Sequence, residues 1–524
     1  MVPRSVVLAL TVSAGLASAL VPTSARAQAN YKLAPVGGRT TLVGGTGLAF
    51  GRDSASAFLN PATVVRVDPG RLAFSVNFYE LSLFTSKTWF QPGPVDRARF
   101  GDISKDNATV TTAGFDSLPG SLCLFLQVAD IPFLEDSNRK KIKETGARLG
   151  LCLATVQSSD FGLNRDDYAQ DTGTSTTRQA QTVLQTFRRI AVGPTYAMYI
   201  TNALALGASV HISRAGFRSI FESTATSTGP GGRSISSVFF NSAHGDSYDL
   251  SATVGATYRI GRYQTVAVAL EAPSVHAFGP GGVNRYTHYE GAGEATSSIA
   301  ASGRFAAYTP LRIALGTGMQ RAWGSAEINV SYHLPVGPAY RASLDGRLVD
   351  VSNGVVNDRV AALELSTQGR GAVNMGVGAE FTIAPRLTLL TGVGTDLSTA
   401  RGSAIAQDVM AYFPSRTNRV TTSLGVGSHG DGGDLLVGGE LAYEWGDRLA
   451  VNSYQLPARF ETVASQSFGL LIVIAGTTSY TAIKRAMNDI TNAVDPTLKA
   501  PAPLKPEPPP PPPKAAHPVT EPKR

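Results

Sequence analysis

The sequence predicts an all-β protein, a transmembrane antiparallel β-barrel of about fourteen strands. Three observations support this. Only 16% of the 524 residues are charged and 54 are glycine, whereas soluble domains carry about 25% charged residues. Segments in which apolar residues alternate with others recur along the chain, the pattern of strands that are apolar on one face only. The connections between those segments alternate short and long, as the two ends of an outer-membrane barrel do.

The elements follow in chain order. Residues 1–27 read as a signal peptide, with Arg4 as its positive start, Val6 to Val21 as its apolar stretch and Ala25-Arg26-Ala27 as its cleavage site. Removing its two arginines, Arg4 and Arg26, lowers the net charge from +7 to +5. That balance is too mild to indicate a nucleic-acid partner. In an exported chain Cys123 and Cys152 can form a disulfide if adjacent strands place them on the same side. Two inert strand thiols are the alternative.

Strand candidates cover roughly residues 71–85, 119–129, 146–157, 187–200, 203–217, 247–260, 264–275, 310–320, 322–334, 372–383, 386–397, 420–429, 434–446 and 464–480. The alternation is clearest from Val373 to Phe381, where Val373, Met375, Val377, Ala379 and Phe381 share one side. Pieces of about 9–11 residues cross a bilayer as tilted strands. The even total lets both ends of the barrel finish on the periplasmic side. Short links follow the fourth, sixth, eighth, tenth and twelfth strands, and long ones follow the odd-numbered strands. The charged stretch "IPFLEDSNRKKIKETG" after the second strand departs from that order. Tyr196, Tyr199, Phe217, Tyr258, Tyr263, Tyr332, Tyr443 and Trp445 near strand ends suit aromatic girdles.

The last strand, "QSFGLLIVIAGTTSY", is apolar on both faces and too short for a membrane-crossing helix; a cover over its inner face would explain it. Residues 481–495 repeat Ile483, Met487, Ile490 and Val494 at helical spacing and predict a short periplasmic amphipathic helix. Residues 496–524 form a proline-rich disordered tail, either a spacer or a docking segment for a periplasmic partner.

Between the signal peptide and the first strand lies "GGRTTLVGGTGLAFGRDSASAFLNPATVVRVDPGRLAFSVNF". A glycine-rich start, an alanine-rich acidic stretch, an Asn-Pro-Ala core and then a strand resemble the N-terminus of the FadL family. These are outer-membrane transporters of long-chain fatty acids and other hydrophobic compounds. The segment "VAVALEAPSVHAFG" is similar to a recurring strand of that family. The resemblance implies that residues 28–70 form a plug, or hatch, folded into a barrel spanning residues 71–480. It also implies that the Asn60-Pro61-Ala62 turn sits against a kink in the third strand, where a lateral opening faces the bilayer. Gly150 in "ARLGLCLATVQ" is the kink position that strand order suggests, because a strand glycine often marks a bend. Phe58, beside the turn, would face an apolar lumen. Pro61 removes a ladder donor and Asn60 can bond the neighbouring backbone, which fits a turn that joins no sheet.

Two features sit apart from the resemblance. Several inward faces are rich in glycine (Gly316, Gly318, Gly392, Gly394, Gly425, Gly427) and in acids (Glu327, Glu380, Glu440, Glu444). Catalytic chemistry is not visible: "VGGTGLAFG" lacks the βαβ context of a dinucleotide loop, no G-x-S-x-G or H-E-x-x-H occurs, and the seven histidines are scattered. The expectation is therefore a monomeric protein that is not an enzyme and has no cofactor or metal. It would lie among the lipids of a Gram-negative outer membrane and take up a hydrophobic small molecule, long-chain fatty acids first, by passive lateral diffusion. The alternative is a non-transporting barrel that serves as a surface scaffold or protein-secretion partner.

Overall fold

A computed structural model of the chain describes residues 36–86, 89, 110–130, 144–171, 176–229, 234–291, 293–367, 369–399, 416–430, 432–452 and 459–479. The signal peptide, the amphipathic helix, the proline-rich tail and the charged stretch at 131–143 lie outside the described residues.

Six long strands come first: β1 (Arg71–Ser86), β2 (Val110–Gln127), β3 (Arg148–Asp171), β4 (Thr176–Tyr199), β5 (Leu204–Thr228) and β6 (Ser234–Ile260). The next four staves of the wall are each broken. β7 (Gln264–Glu271), β8 (Val275–Phe278) and β9 (Pro280–Glu290) all pair with β6 and make one stave. β10 (Glu294–Ala307) and β11 (Arg312–Arg321) make the next. β12 (Gly324–His333) with β13 (Tyr340–Ser352), and β14 (Val355–Thr367) with β15 (Ala372–Ala384), complete the interrupted group. Prolines mark three of these breaks: Pro273, Pro310, and Pro335 with Pro338. Proline has no N–H to give a ladder. Continuous strands resume with β16 (Leu387–Asp396), β17 (Arg416–Gly430), β18 (Gly433–Asn452) and β19 (Arg459–Ser479). β19 pairs with β1 from Ser479↔Arg71 to Gln466↔Thr85, so the fourteen staves close into an antiparallel barrel.

One end of the barrel carries tight turns, at residues 199–204, 260–264, 321–324 and 384–387, and there Gly430 of β17 also pairs with Gly433 of β18. The other carries hairpins, and here the structure extends the sequence reading. Stretches expected as long loops after the third, fifth, seventh and ninth strands continue as paired strand: β3 and β4 stay paired, through two register shifts, out to Asp171↔Thr176, and β5 and β6 stay in register out to Thr228↔Ser234. Beyond the membrane both faces of a strand can be polar, so the apolar alternation ends before the strand does.

Outward positions along the middle of the wall are apolar and exposed, including Leu151, Ile212, Leu250, Leu315, Leu424, Leu441 and Phe468. This band is the face of a barrel that spans a membrane. Tyr196, Tyr199, Tyr258 and Tyr263 are exposed near its turn end, as a girdle requires. Phe217 is the exception. It shares inward parity with Ala215 and Phe221 and is buried in the lumen.

Candidate functional site

Residues 36–67 occupy the turn-end half of the lumen. They comprise helices α1 (Gly38–Leu42) and α2 (Ser56–Leu59) and a 3₁₀ turn over Pro61–Arg66, joined by the glycine-rich loop. Almost every residue from Gly37 to Val65 is buried. Inward glycines of the wall make the space: a Cβ at Gly378 or Gly392 would run into the backbone of Val43 and Gly44, and one at Gly425 or Gly438 into Leu42. Gly316 and Gly318 receive Leu48 and Phe50 in the same way. Most of the glycine-rich inner face is thus the imprint of residues 36–67, while Gly427 faces Thr388 and Leu436 of the wall. The same segment explains the last strand, whose inward Leu471, Val473 and Ala475 pack under Leu42 and Val43.

Two of the acidic inner residues, Glu327 and Glu380, anchor this segment, whereas Glu440 and Glu444 pair with Arg419 of the wall. Glu380 accepts from Arg39 Nε at 2.9 Å and Nη2 at 2.6 Å. Burial opposes the Arg39 charge, but the carboxylates of Glu380, Asp53 and Glu327 outweigh it and raise its pKa above the ordinary value. Glu327 accepts from the backbone N–H groups of Gly47 and Ala49 through Oε1 and of Phe50 through Oε2. The loop "VGGTGLAFG" therefore wraps an anion after all, but the anion is this wall carboxylate.

The Asn60-Pro61-Ala62 turn is fully buried. Asn60 Oδ1 accepts from Ala62 N, while Nδ2 donates to Leu48 O at 2.6 Å and to Ala256 O at 3.5 Å. A Cβ at Gly255 would meet Asn60, and one at Gly207 would meet Pro61 and Ala62. The turn thus lies against the facing glycines of β5 and β6, which are paired with each other, and not against the third strand. Phe58 is the residue that faces β3. It stacks on His211 at 4.4 Å and lines, with Val156 and Gln157, a cavity of about 110 Å³.

β3 also bends elsewhere than Gly150. Its ladder with β4 runs unbroken from Arg148 through Gly150 to Thr155, and slips at Val156, the extra residue of a β-bulge. Gly150 is instead covered by the ring of Phe125, which opposes it on β2. Cys123 and Cys152 are directly opposed in this same ladder and are joined by a disulfide.

The β2–β3 ladder ends at Ser121↔Ala154. Beyond it, β2 follows β1 through two register irregularities around Pro119 and Gly120, while β3 follows β4. Gly120 presses so closely on Ser75 O of β1 that no Cβ fits there. Pro119 supplies no donor, so a strand edge turns away at this point. Between the parted strands lies a cavity of about 580 Å³, lined by Thr112, Ala113 and Gly114 of β2 and Ser158 to Leu163 of β3. It reaches inward to Phe84, Arg419, Glu444 and Arg448. Leu81, Leu83, Ile190 and Val192 stand exposed on the flanking strands, so the gap lies within the apolar band.

The hairpin-end half of the lumen is aromatic. Phe84, Trp89, Phe161, Phe221, Phe239 and Phe460 form one buried cluster, and Phe187, Phe217, Phe305 and Tyr340 belong to another. Arg448 lies over Phe161 at 4.3 Å, between the first cluster and the gap. The nearest approach to hydrolytic machinery is Ser247, His276 and Asp249. Ser247 Oγ and Asp249 Oδ1 both face the same ring nitrogen, Nδ1, at 2.9 and 3.2 Å. A relay needs opposite ring nitrogens, so this trio does not form a proton relay. Among the described residues no cluster of His, Cys, Asp or Glu could hold a metal ion.

No family model and no curated protein matches the chain. Solved structures do resemble it. The Pseudomonas putida toluene transporter TodX aligns over 86% of this chain and 99% of its own, at 12% identity and a TM-score of 0.50. The TodX deltaS2S3 mutant, titled a monoaromatic hydrocarbon channel, aligns over 85% and 99%, at 13% identity and a TM-score of 0.50. A Pseudomonas aeruginosa FadL homologue aligns over 87% and 100%, at 14% identity and a TM-score of 0.48. The likeness to TodX is one of fold: a fourteen-stave barrel shared across nearly the whole of both chains.

Proposed function

We propose that this chain is an outer-membrane channel for uptake of hydrophobic compounds, long-chain fatty acids first among them, by passive lateral diffusion. The observation that carries the reading is the parting of β2 from β3 within the apolar band, above a lumen whose turn-end half is filled. With the turn end periplasmic, a ligand would enter between the hairpins and lose its water among the aromatic clusters, at roughly 25 cal/mol per Å² of apolar surface. The plug blocks the straight route, and the gap offers a way into the bilayer. Passive movement needs only graded affinity along that route, so no reacting group is required. The fold shared with a toluene transporter supports a hydrophobic cargo, and the exported, membrane-spanning barrel supports the location. Phe58, beside the β3 bulge, is the plug residue placed to sense the ligand, and Asn60-Pro61-Ala62 is the turn that holds it there.

Gly162 provides the test. It lines the gap, and a Cβ at that position meets nothing within 4 Å. Gly162 lies on the outward face between the inward Phe161 and Leu163, so Gly162→Trp is expected to cover the outer mouth of the opening without disturbing the wall. Uptake of labelled oleate by cells carrying the variant should fall roughly tenfold, the effect of about 1.4 kcal/mol on the barrier, with membrane insertion unchanged. Undiminished uptake by an inserted Gly162→Trp barrel would rule out the lateral route.

A further inference from the structure

The turn end holds a second polar cavity, of about 380 Å³, between the plug and the β18–β19 wall. Four carboxylates line it and each is already engaged. Glu380 holds Arg39; Asp53 accepts from Thr40 and from Ala55 N; Asp68 and Asp434 both pair with Arg71. Two cations are left over. Among the described residues Arg52 makes no hydrogen bond or ion pair. Arg66 forms no ion pair either: it rests over the Phe50 ring, touches Thr265 Oγ1 at 3.4 Å, and keeps its buried Nε without a partner. Burial holds the Arg66 pKa below its ordinary value, and at Arg52, which opens to solvent, partial desolvation followed by repulsion from Arg39 acts in the same direction. Both remain charged, because even a lowered guanidinium stays protonated at neutral pH. The buried Arg66 Nε is costly without an acceptor, and an oxyanion that meets it together with the solvent-accessible Arg52 on the same cavity relieves that cost.

We propose that this vestibule binds the oxyanion headgroup of an amphiphile, a carboxylate or a phosphate ester, between Arg52 and Arg66. The partly exposed Phe74 lines the same cavity and offers a surface to the amphiphile's apolar portion. The site rests on the uptake reading only for where the amphiphile comes from: cargo arriving through the barrel, or lipid of the adjoining leaflet.

Arginine modification by phenylglyoxal, followed at Arg52 by mass spectrometry on the full chain in dodecyl maltoside, reads this site alone. Laurate and dodecyl phosphate are expected to half-protect Arg52 at roughly tenfold lower concentration than dodecanol, the factor one charge-assisted hydrogen bond supplies. Arg66→Gln should remove that preference. Protection by laurate assigns a carboxylate cargo, and protection by dodecyl phosphate alone assigns a phospholipid head. Equal protection by dodecanol, protection by none of the three, or full protection in Arg66→Gln would each overturn the proposal. The outcome is separable from the uptake reading, because Gly162→Trp closes the gap without touching the vestibule.

Discussion

Asn60 shows at single-residue scale how the plug is held. One amide serves its own turn through Ala62 N, the glycine-rich loop through Leu48 O and the wall through Ala256 O. Its turn chemistry was legible, because Asn before Pro belongs to neither helix nor ladder. Its partners were not, since Ala256 lies 196 residues away and only the folded barrel brings it near. The same limit hid Glu327, which in sequence is one acid on an alternating strand. Asn60→Ala leaves the Leu48 carbonyl and the Ala62 N–H without partners, at about 1–3 kcal/mol for each buried group. The expected result is a loosened plug in an intact barrel: faster proteolysis of the plug segment and reduced oleate uptake, with unchanged heat-modifiable mobility on gels. A variant whose plug resists protease as the parent does would show that the amide is dispensable.

At the scale of elements, the β2–β3 seam joins two opposed features. Below Ser121↔Ala154 the strands are laddered and cross-linked; above it they part. The signal for parting was in the sequence as Pro119-Gly120 inside an otherwise strand-like run, a pair that argues for an edge and a bend. The glycine that strand order suggested, Gly150, is an ordinary ladder member, because the bulge needs an extra residue and Val156 supplies it. The disulfide marks where the opening stops. Its Cys123–Cys152 bridge closes a loop of sequence separation 29, and such links stabilise by about 2–4 kcal/mol. Replacing both cysteines with serine should therefore let the seam open further toward the turn end. The expected readouts are a lower thermal midpoint and faster hydrogen exchange at Leu122 to Leu126, with no change at β17–β18. Unchanged exchange along β2 would show that the ladder holds the seam without its bridge.

The described part of the barrel unit is a closed wall around a filled turn-end half, and the two parts differed in legibility. Strand number and connection order could be read because a membrane imposes one-sided alternation on every crossing segment. The hairpin extensions escaped, since water on both sides removes that constraint. The inner glycines looked like an anomaly of the wall and are a property of the pair: Gly378 and Gly392 have space for Val43 and Gly44 only because no Cβ intervenes. The wall is also complete without the plug, because its closure rests on the Arg71↔Ser479 to Thr85↔Gln466 ladder. Deleting residues 38–66 should accordingly leave an inserted barrel that has lost its internal seal. With Glu327, Glu380 and Arg419 then lining open water, the lumen should pass small ions. In planar bilayers the parent is expected to be nearly silent and the deletion variant to give stable, long-lived conductance steps. Restoring the segment with Gly392→Leu should leave a leak as well, because the added side chain meets Gly44 N and the Val43 carbonyl carbon. A deletion variant that inserts and stays as silent as the parent would mean that something other than this segment seals the barrel.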